Sequence, residues 1–174
     1  IQNTGIIRQY LIRPLKKGNT SSSRQTSGTD EETIKNVTEA VRWLSQSKTG
    51  ALITFEKKTP RNEYRKNGTI INCPVTPEII ETIFYEGTRL HDGAIIIRGD
   101  KIVAAAVYYP PSTKLIEGKF GARHRAALGI SQEVTDSVTI LVSEETGRIG
   151  IAHGGVRDRV TSDEFSQVLH NALR

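Results

Sequence analysis

Apolar residues occur in this chain at two spacings. Ile34, Val37, Val41 and Leu44 recur on one helical face ending near Gln46, with Trp43 flanking it. Thr29 and Glu32 have the spacing of a capping box and predict that this helix starts there. Thr76 followed by Pro77 predicts a second start, with Ile79, Ile80, Ile83 and Phe84 on the buried side and Gly87 as the stop. Thr161 and Glu164 suit a capping box ahead of a third helix in "TSDEFSQVLHNAL". Between the helices the apolar residues run on without clean alternation. "GALITFE" and "TIINC" read as strands, and "AIIIRGDKIVAAAVYY" reads as two strands across a Gly-Asp turn. The Arg-Gly-Asp inside it is explained by that connection and needs no adhesion role. "VTILVS" and "RIGIAHG" form a second hairpin around Thr146-Gly147.

At least six strands and three clear helices imply an α/β fold, with a mixed, largely buried central sheet flanked by helices. Strands that are apolar at successive positions are expected to be covered on both faces. The folded pattern restarts at Thr29, so residues 29–174 form the expected domain and residues 1–28 an arm with a linker. In the arm, "TGIIRQYLIRPL" suits a short helix or a packed segment ending before Pro14, and "KKGNTSSSRQTSGTD" reads as a flexible connection. A start at Ile1 implies a fragment or a processed product.

Charge divides at the same boundary. The arm holds Arg8, Arg13, Lys16, Lys17 and Arg24 and no acid, which accounts for the net charge of +5. Nucleic-acid contact, a seat near anionic lipid and plain solubility all suit such an arm. The composition, 36% hydrophobic and 25% charged, is that of an ordinary globular domain. No apolar run is long enough for a membrane-spanning helix. Cys73, the single cysteine, has no internal disulfide partner; it reads as a small buried side chain, and a reducing setting fits.

Three stretches carry candidate chemistry. In "RLHDGAIII", His91, Asp92 and Gly93 precede a strand. They read either as an Asp-Gly turn or as a ligand site at a strand edge, where a carboxylate faces a cation. In "GKFGARHRAALGIS", Arg123, His124 and Arg125 form a cationic cluster after Gly121, ahead of a short helix in "AALGI". They read either as a solvated charge run or as a shaped loop for phosphate, which the arginine fork and nearby helix N–H groups favour. In "VSEETGRIG", Ser143, Glu144 and Glu145 open a turn, or one glutamate joins Asp92 around a divalent cation bound to phosphate. The phosphate-loop, dinucleotide, zinc-protease and serine-elbow signatures are absent.

Together "LHDGAIII", "GARHRAALGIS" and "VTDSVTILVSEETG" resemble the catalytic domain of diadenylate cyclases, which make cyclic di-AMP from two ATP molecules. The similarity runs from about Glu32 to Leu173, includes "RWLSQSKTGALITFE", and points to the membrane-associated branch or its spore-related relatives. It implies that Asp92 orients or deprotonates the attacking ribose 3′-OH and binds metal, with His91 and Glu144 as further metal contacts. Gly93 and Ala94 would lie against nucleotide, Tyr108 and Tyr109 at the adenine wall, and Ser143 near phosphate. Residues Ala122, Arg123, His124 and Arg125 would hold triphosphate. Two departures stand out: Ala122 replaces a common Thr, and Tyr109 a common Leu. The resemblance further implies a divalent cation (Mg²⁺ or Mn²⁺), a face-to-face catalytic dimer and no direct nucleic-acid binding. The expected location is cytoplasmic, with membrane attachment through a region preceding this chain. A nonenzymatic nucleotide sensor and another nucleotide-phosphate enzyme are the competing functions.

Overall fold

Successive side chains of a strand point to opposite faces, so a strand that is apolar throughout needs a cover on both sides. The computed structural model meets this demand around a seven-stranded sheet of order β2-β4-β3-β1-β5-β6-β7. It describes residues 29–112 and 121–174, so the readings of the arm and most of its linker lie outside the described residues. The elements run α1 (Glu31–Gln46), β1 (Ala51–Glu56), α2 (Asn62–Arg65), β2 (Thr69–Pro74), α3 (Pro77–Phe84) and β3 (Ala94–Arg98). They continue with β4 (Lys101–Val107), α4 (Ala122–Glu133), β5 (Ser137–Val142), β6 (Ile149–His153), β7 (Val156–Val160) and α5 (Phe165–Ala172). The central pair β1/β3 is parallel and every other pairing is antiparallel.

Two cores result. Ile53, Phe55, Ile95, Ile97, Ile140 and Val142 pack with α1, α3 and α5 on one face. Leu52, Ile96 and Leu141 pack with Ala127, Ile130 and Val134 of the α4 region on the other. Burying each large apolar side chain is worth about 1.5–3 kcal/mol. All six residues of β1 are buried, so this strand anchors both layers. Its two buried polar side chains are satisfied: the Thr54 and Thr139 hydroxyls hydrogen-bond at 2.8 Å, and Glu56 pairs with Arg65.

The helix ends follow local chemistry, with one correction. Thr76 caps α3 by accepting from the Ile79 N–H at 3.2 Å, with Pro77 in the first turn. Thr161 and Glu164 bond reciprocally, at 3.1 and 3.4 Å, just before α5. The first helix is capped by Asp30 rather than Thr29: its Oδ1 accepts from the Thr33 N–H at 2.7 Å. Asp and Thr both cap well, and the carboxylate one residue further on takes the position. Cys73 is half-buried, packed at the margin of the first core on the edge strand β2.

Candidate functional site

Strand register brings the singled-out stretches to one end of the sheet. Ala51 opposes Val142, and Ala94 opposes Val107. Gly50 before β1, Asp92-Gly93 before β3, Tyr108 after β4 and Ser143 after β5 therefore share that end. The helix α4 begins beside them.

Gly93 answers why an Asp-Gly pair stands there. Its φ is +111°, and a Cβ would lie 2.8 Å from the Val107 carbonyl oxygen, so only glycine fits against β4. The close approach is made by backbone, and it leaves Asp92 at the rim. Across from it β4 carries a bulge: Ala106 has φ +52°, and the register with β3 shifts. Ala105 packs into the first core but Val107 and Tyr109 into the second, so the bulge rotates the strand end. Tyr108 is left 64% exposed while Tyr109 is 4% exposed. Burial pushes the Tyr109 phenol well above its ordinary value. Its ring meets Tyr64 edge to face at 5.6 Å. Asp92, Gly93, Tyr108, Tyr109, Arg123 and Arg125 all border one cavity of about 250 Å³.

Arg123 and Ala122 also border a second recess, a cleft of about 280 Å³. Here His124, Ser143, Glu144 and Glu145 meet Arg148, Arg157 and Arg159. The cluster Arg123–His124–Arg125 does not lie in a loop ahead of a helix, as the sequence reading held; it occupies the first turn of α4. Gly121 is the N-cap and offers no side-chain bond, and the helix dipole favours an anion at this end. The Arg123 guanidinium lies over Gly50, where an added Cβ would stand 2.5 Å from Nη1 and 2.6 Å from Cζ. Arg123 Nη1 donates to Glu144 Oε2 at 2.6 Å, while its Nε is buried without a hydrogen-bond partner. His124 is held below its ordinary pKa by burial and by the Arg157 charge, opposed by Glu145.

The expected site residues are thus divided. Asp92, Gly93, Tyr108, Tyr109 and Arg125 lie at the cavity, Ser143, Glu144 and His124 at the cleft, and Ala122 and Arg123 at both. Ala94, expected against nucleotide, is fully buried in the second core and borders neither recess. His91 also borders neither; its Nδ1 lies 2.6 Å from the Thr88 carbonyl. His91, Asp92 and Glu144 are not assembled as a metal set, since among the described residues no three His, Cys, Asp or Glu side chains stand together to hold an ion. Glu144 is engaged by Arg123 instead. The Ser143 hydroxyl accepts from the Glu145 and Thr146 N–H groups at 3.3 Å each, which shapes the turn. A larger groove of about 750 Å³ between α1 and α5 contains none of these residues.

Sequence reasoning missed Gly50, Asn67, Arg148, Arg157 and Arg159. Arg157 and Arg159 alternate along β7, a spacing that places both on one face of a strand. Gly50 and Asn67 act through space and carry no local signal.

An α/β sheet with an apolar-walled cavity and a basic cleft joined at a helix start defines a domain suited to a ligand with a flat apolar part and a phosphate tail. The chain belongs to the DAC family, the DisA bacterial checkpoint controller nucleotide-binding family, whose model matches residues 38–157. It is similar to the cyclic di-AMP synthase CdaA of Bacillus subtilis, with 43% identity over 135 residues, 77% of this chain and 49% of that protein. It is similar to the diadenylate cyclase of Mycoplasma genitalium, with 35% identity over 158 residues, 90% of this chain and 78% of that one. A crystal structure of a DacA double mutant from Staphylococcus aureus superposes with a TM-score of 0.78 at 39% identity, covering 82% of this chain and 96% of that one. The chain spans about half the length of the Bacillus subtilis relative and of a Listeria monocytogenes relative named diadenylate cyclase.

Proposed function

We propose that this chain is the catalytic domain of a diadenylate cyclase, joining two ATP molecules into cyclic di-AMP. The carrying observation is that Asp92 and the arginines of α4 border one cavity with the two rim tyrosines, while Arg123 continues into the basic cleft. Adenine stacks at Tyr108, and the phosphates follow Arg123 toward the cleft. Each ribose 3′-oxygen attacks the α-phosphorus of the other nucleotide. One P–O bond forms and the bond to the bridging oxygen breaks at each centre, releasing two pyrophosphates in all. Asp92 orients the hydroxyl and accepts its proton, and Arg123, Arg125 and the α4 N–H groups hold the charge on the phosphates.

A divalent cation fits this donor set. Asp92 offers a hard carboxylate oxygen, and a carbonyl partner requires the His91 proton on Nδ1, which leaves a lone pair on Nε2 of the neutral ring. Mg²⁺ or Mn²⁺ would be held by one or two such side chains together with substrate phosphate oxygens. When bound, the ion supplies Lewis-acid stabilisation of phosphate charge.

Two substrates must present reciprocal groups, which supports a face-to-face pair of chains as the working unit. The acid-free arm supports action beside an anionic membrane surface, with attachment through a region outside this chain. No helix among the described residues is long and apolar enough to cross a membrane.

Incubation with ATP and Mg²⁺ or Mn²⁺, followed by chromatographic product identification, tests the reading. Cyclic di-AMP is expected, with specific activity rising with protein concentration while pairs are incompletely formed. Unchanged ATP would support a sensor instead, and ADP, AMP or another conjugate a different phosphate chemistry.

A further inference from the structure

Tyr108 is held by a residue outside the cavity. It follows the last residue of β4, and its ring is largely exposed. Nothing in a β-strand ending there fixes such a ring, because the ladder stops and the bulge at Ala106 has already turned the chain. The Asn67 side chain takes over where the ladder ends. Its Nδ2 donates to the Tyr108 carbonyl at 3.0 Å, and its Oδ1 accepts from the Tyr108 N–H at 3.0 Å. A primary amide offers one donor and one acceptor on the same edge, so it engages both backbone groups of one residue as a neighbouring strand would. No other neutral side chain of that length does this. Gly68 follows directly, and a Cβ there would lie 2.6 Å from the Ala105 carbonyl oxygen, so the two segments are pressed together at this point.

The segment bearing Asn67 is itself anchored. Tyr64 of α2 meets the Tyr109 ring, and its hydroxyl donates to Glu133 at the end of α4. The Arg65 guanidinium pairs with buried Glu56 at the end of β1. One short segment therefore grips both rim tyrosines and is tied to the helix whose opposite end carries Arg123.

We infer that Asn67 is a positioning residue for nucleobase binding: its paired amide bonds fix the Tyr108 backbone and thereby present the ring to adenine. This deepens the proposed function and rests on Tyr108 being the base wall. Its effect is confined to base recognition, because Asn67 borders neither the cavity nor the cleft.

The test measures binding of a nonhydrolysable ATP analogue and of inorganic tripolyphosphate to the wild type, Asn67→Ala, Asn67→Asp and Tyr108→Ala. Asn67→Ala is expected to weaken the ATP analogue about tenfold, the equivalent of about one net hydrogen bond, and to leave tripolyphosphate unchanged. Asn67→Asp keeps the acceptor for the Tyr108 N–H but sets a carboxylate oxygen against the Tyr108 carbonyl, so it should weaken the analogue at least as much as Asn67→Ala. In turnover the loss appears in KM with kcat retained. If Tyr108→Ala weakens the analogue and both Asn67 variants bind it as wild type does, the positioning role is overturned and the base wall stands. If Tyr108→Ala itself has no effect, the base-wall reading fails. Equal weakening of analogue and tripolyphosphate by both Asn67 variants would mark a general loss of structure and also overturn the inference.

Discussion

The two recesses that share Arg123 have similar volumes, about 250 and 280 Å³, and opposite linings. The cavity is walled by Leu52, Val107, Tyr108 and Tyr109, with Asp92 as its acid. The cleft gathers Arg148, Arg157 and Arg159 around the start of α4, against Glu144 and Glu145. Size does not separate them; chemistry does. An aromatic-walled cavity takes a base and ribose at little desolvation cost, whereas guanidinium groups and the positive end of a helix take phosphate. Arg123 stands where the two meet, with its guanidinium laid over Gly50.

The largest expected effect breaks the cavity's chemistry without its shape. Asp92→Asn keeps the volume and removes the proton acceptor and the hard anionic ligand. Turnover should fall by at least about 100-fold, the range for a lost general base, with melting unchanged and tripolyphosphate binding retained. Product formation at matched metal concentration checks this. Turnover near that of the wild type would remove Asp92 from the reaction.

Next comes the residue common to both recesses. Arg123→Ala should weaken an ATP analogue and tripolyphosphate alike, by about 10- to 100-fold for charge-assisted hydrogen bonds worth 1.5–3 kcal/mol. Arg123→Lys should not recover the loss, since a point charge replaces a planar fork. Titration of each ligand decides it, and unchanged binding would return the cluster to a solvated surface.

Gly50→Ala sharpens the same point with one methyl group. The new Cβ would overlap the guanidinium and displace it, but the displaced atoms are the end of a flexible side chain. The fold should therefore persist, with stability changed by no more than about 1 kcal/mol. Tripolyphosphate affinity should drop by a smaller factor than in Arg123→Ala. Equal affinity in Gly50→Ala and wild type would show that the cradle does not set Arg123's position.

How far the sequence foretold this arrangement depends on the range of the determining forces. β1, β3 and β5 were legible because burial on both faces makes them apolar throughout. β7 was not: "VRDRV" is an edge strand with charges at three of its five positions, and buried Asp158 sits where alternation expects an apolar residue. α2 is too short to show a period. The start of α4 was placed late because Gly121 lacks the capping side chain that marks α1 and α3. The three chemical stretches were visible as motifs, but their division between two recesses, the Arg123–Glu144 pair and the Gly50 cradle arise from strand register and have no local trace.

The smallest expected effect belongs to the cleft alone, because no histidine borders the cavity. Burial and the Arg157 charge hold the His124 imidazole below its ordinary value, and Glu145 only partly offsets them. The folded chain thus takes up this proton less readily than the unfolded chain, whose imidazole titrates near about 6.5. The associated stability is complete above that value and declines as the pH falls below it, because the unfolded state then binds more protons. The decline ends once the folded state is protonated as well. His124→Gln has nothing to titrate at this position, so its melting temperature should fall less than that of the wild type on going from about pH 7.5 to about pH 5.5, a window bracketing the ordinary imidazole value. Half-exposure keeps the difference small. Parallel melting curves would mean that His124 is not crowded by the cleft's positive charge. A steeper fall in the variant would mean that Glu145, rather than Arg157, governs the ring.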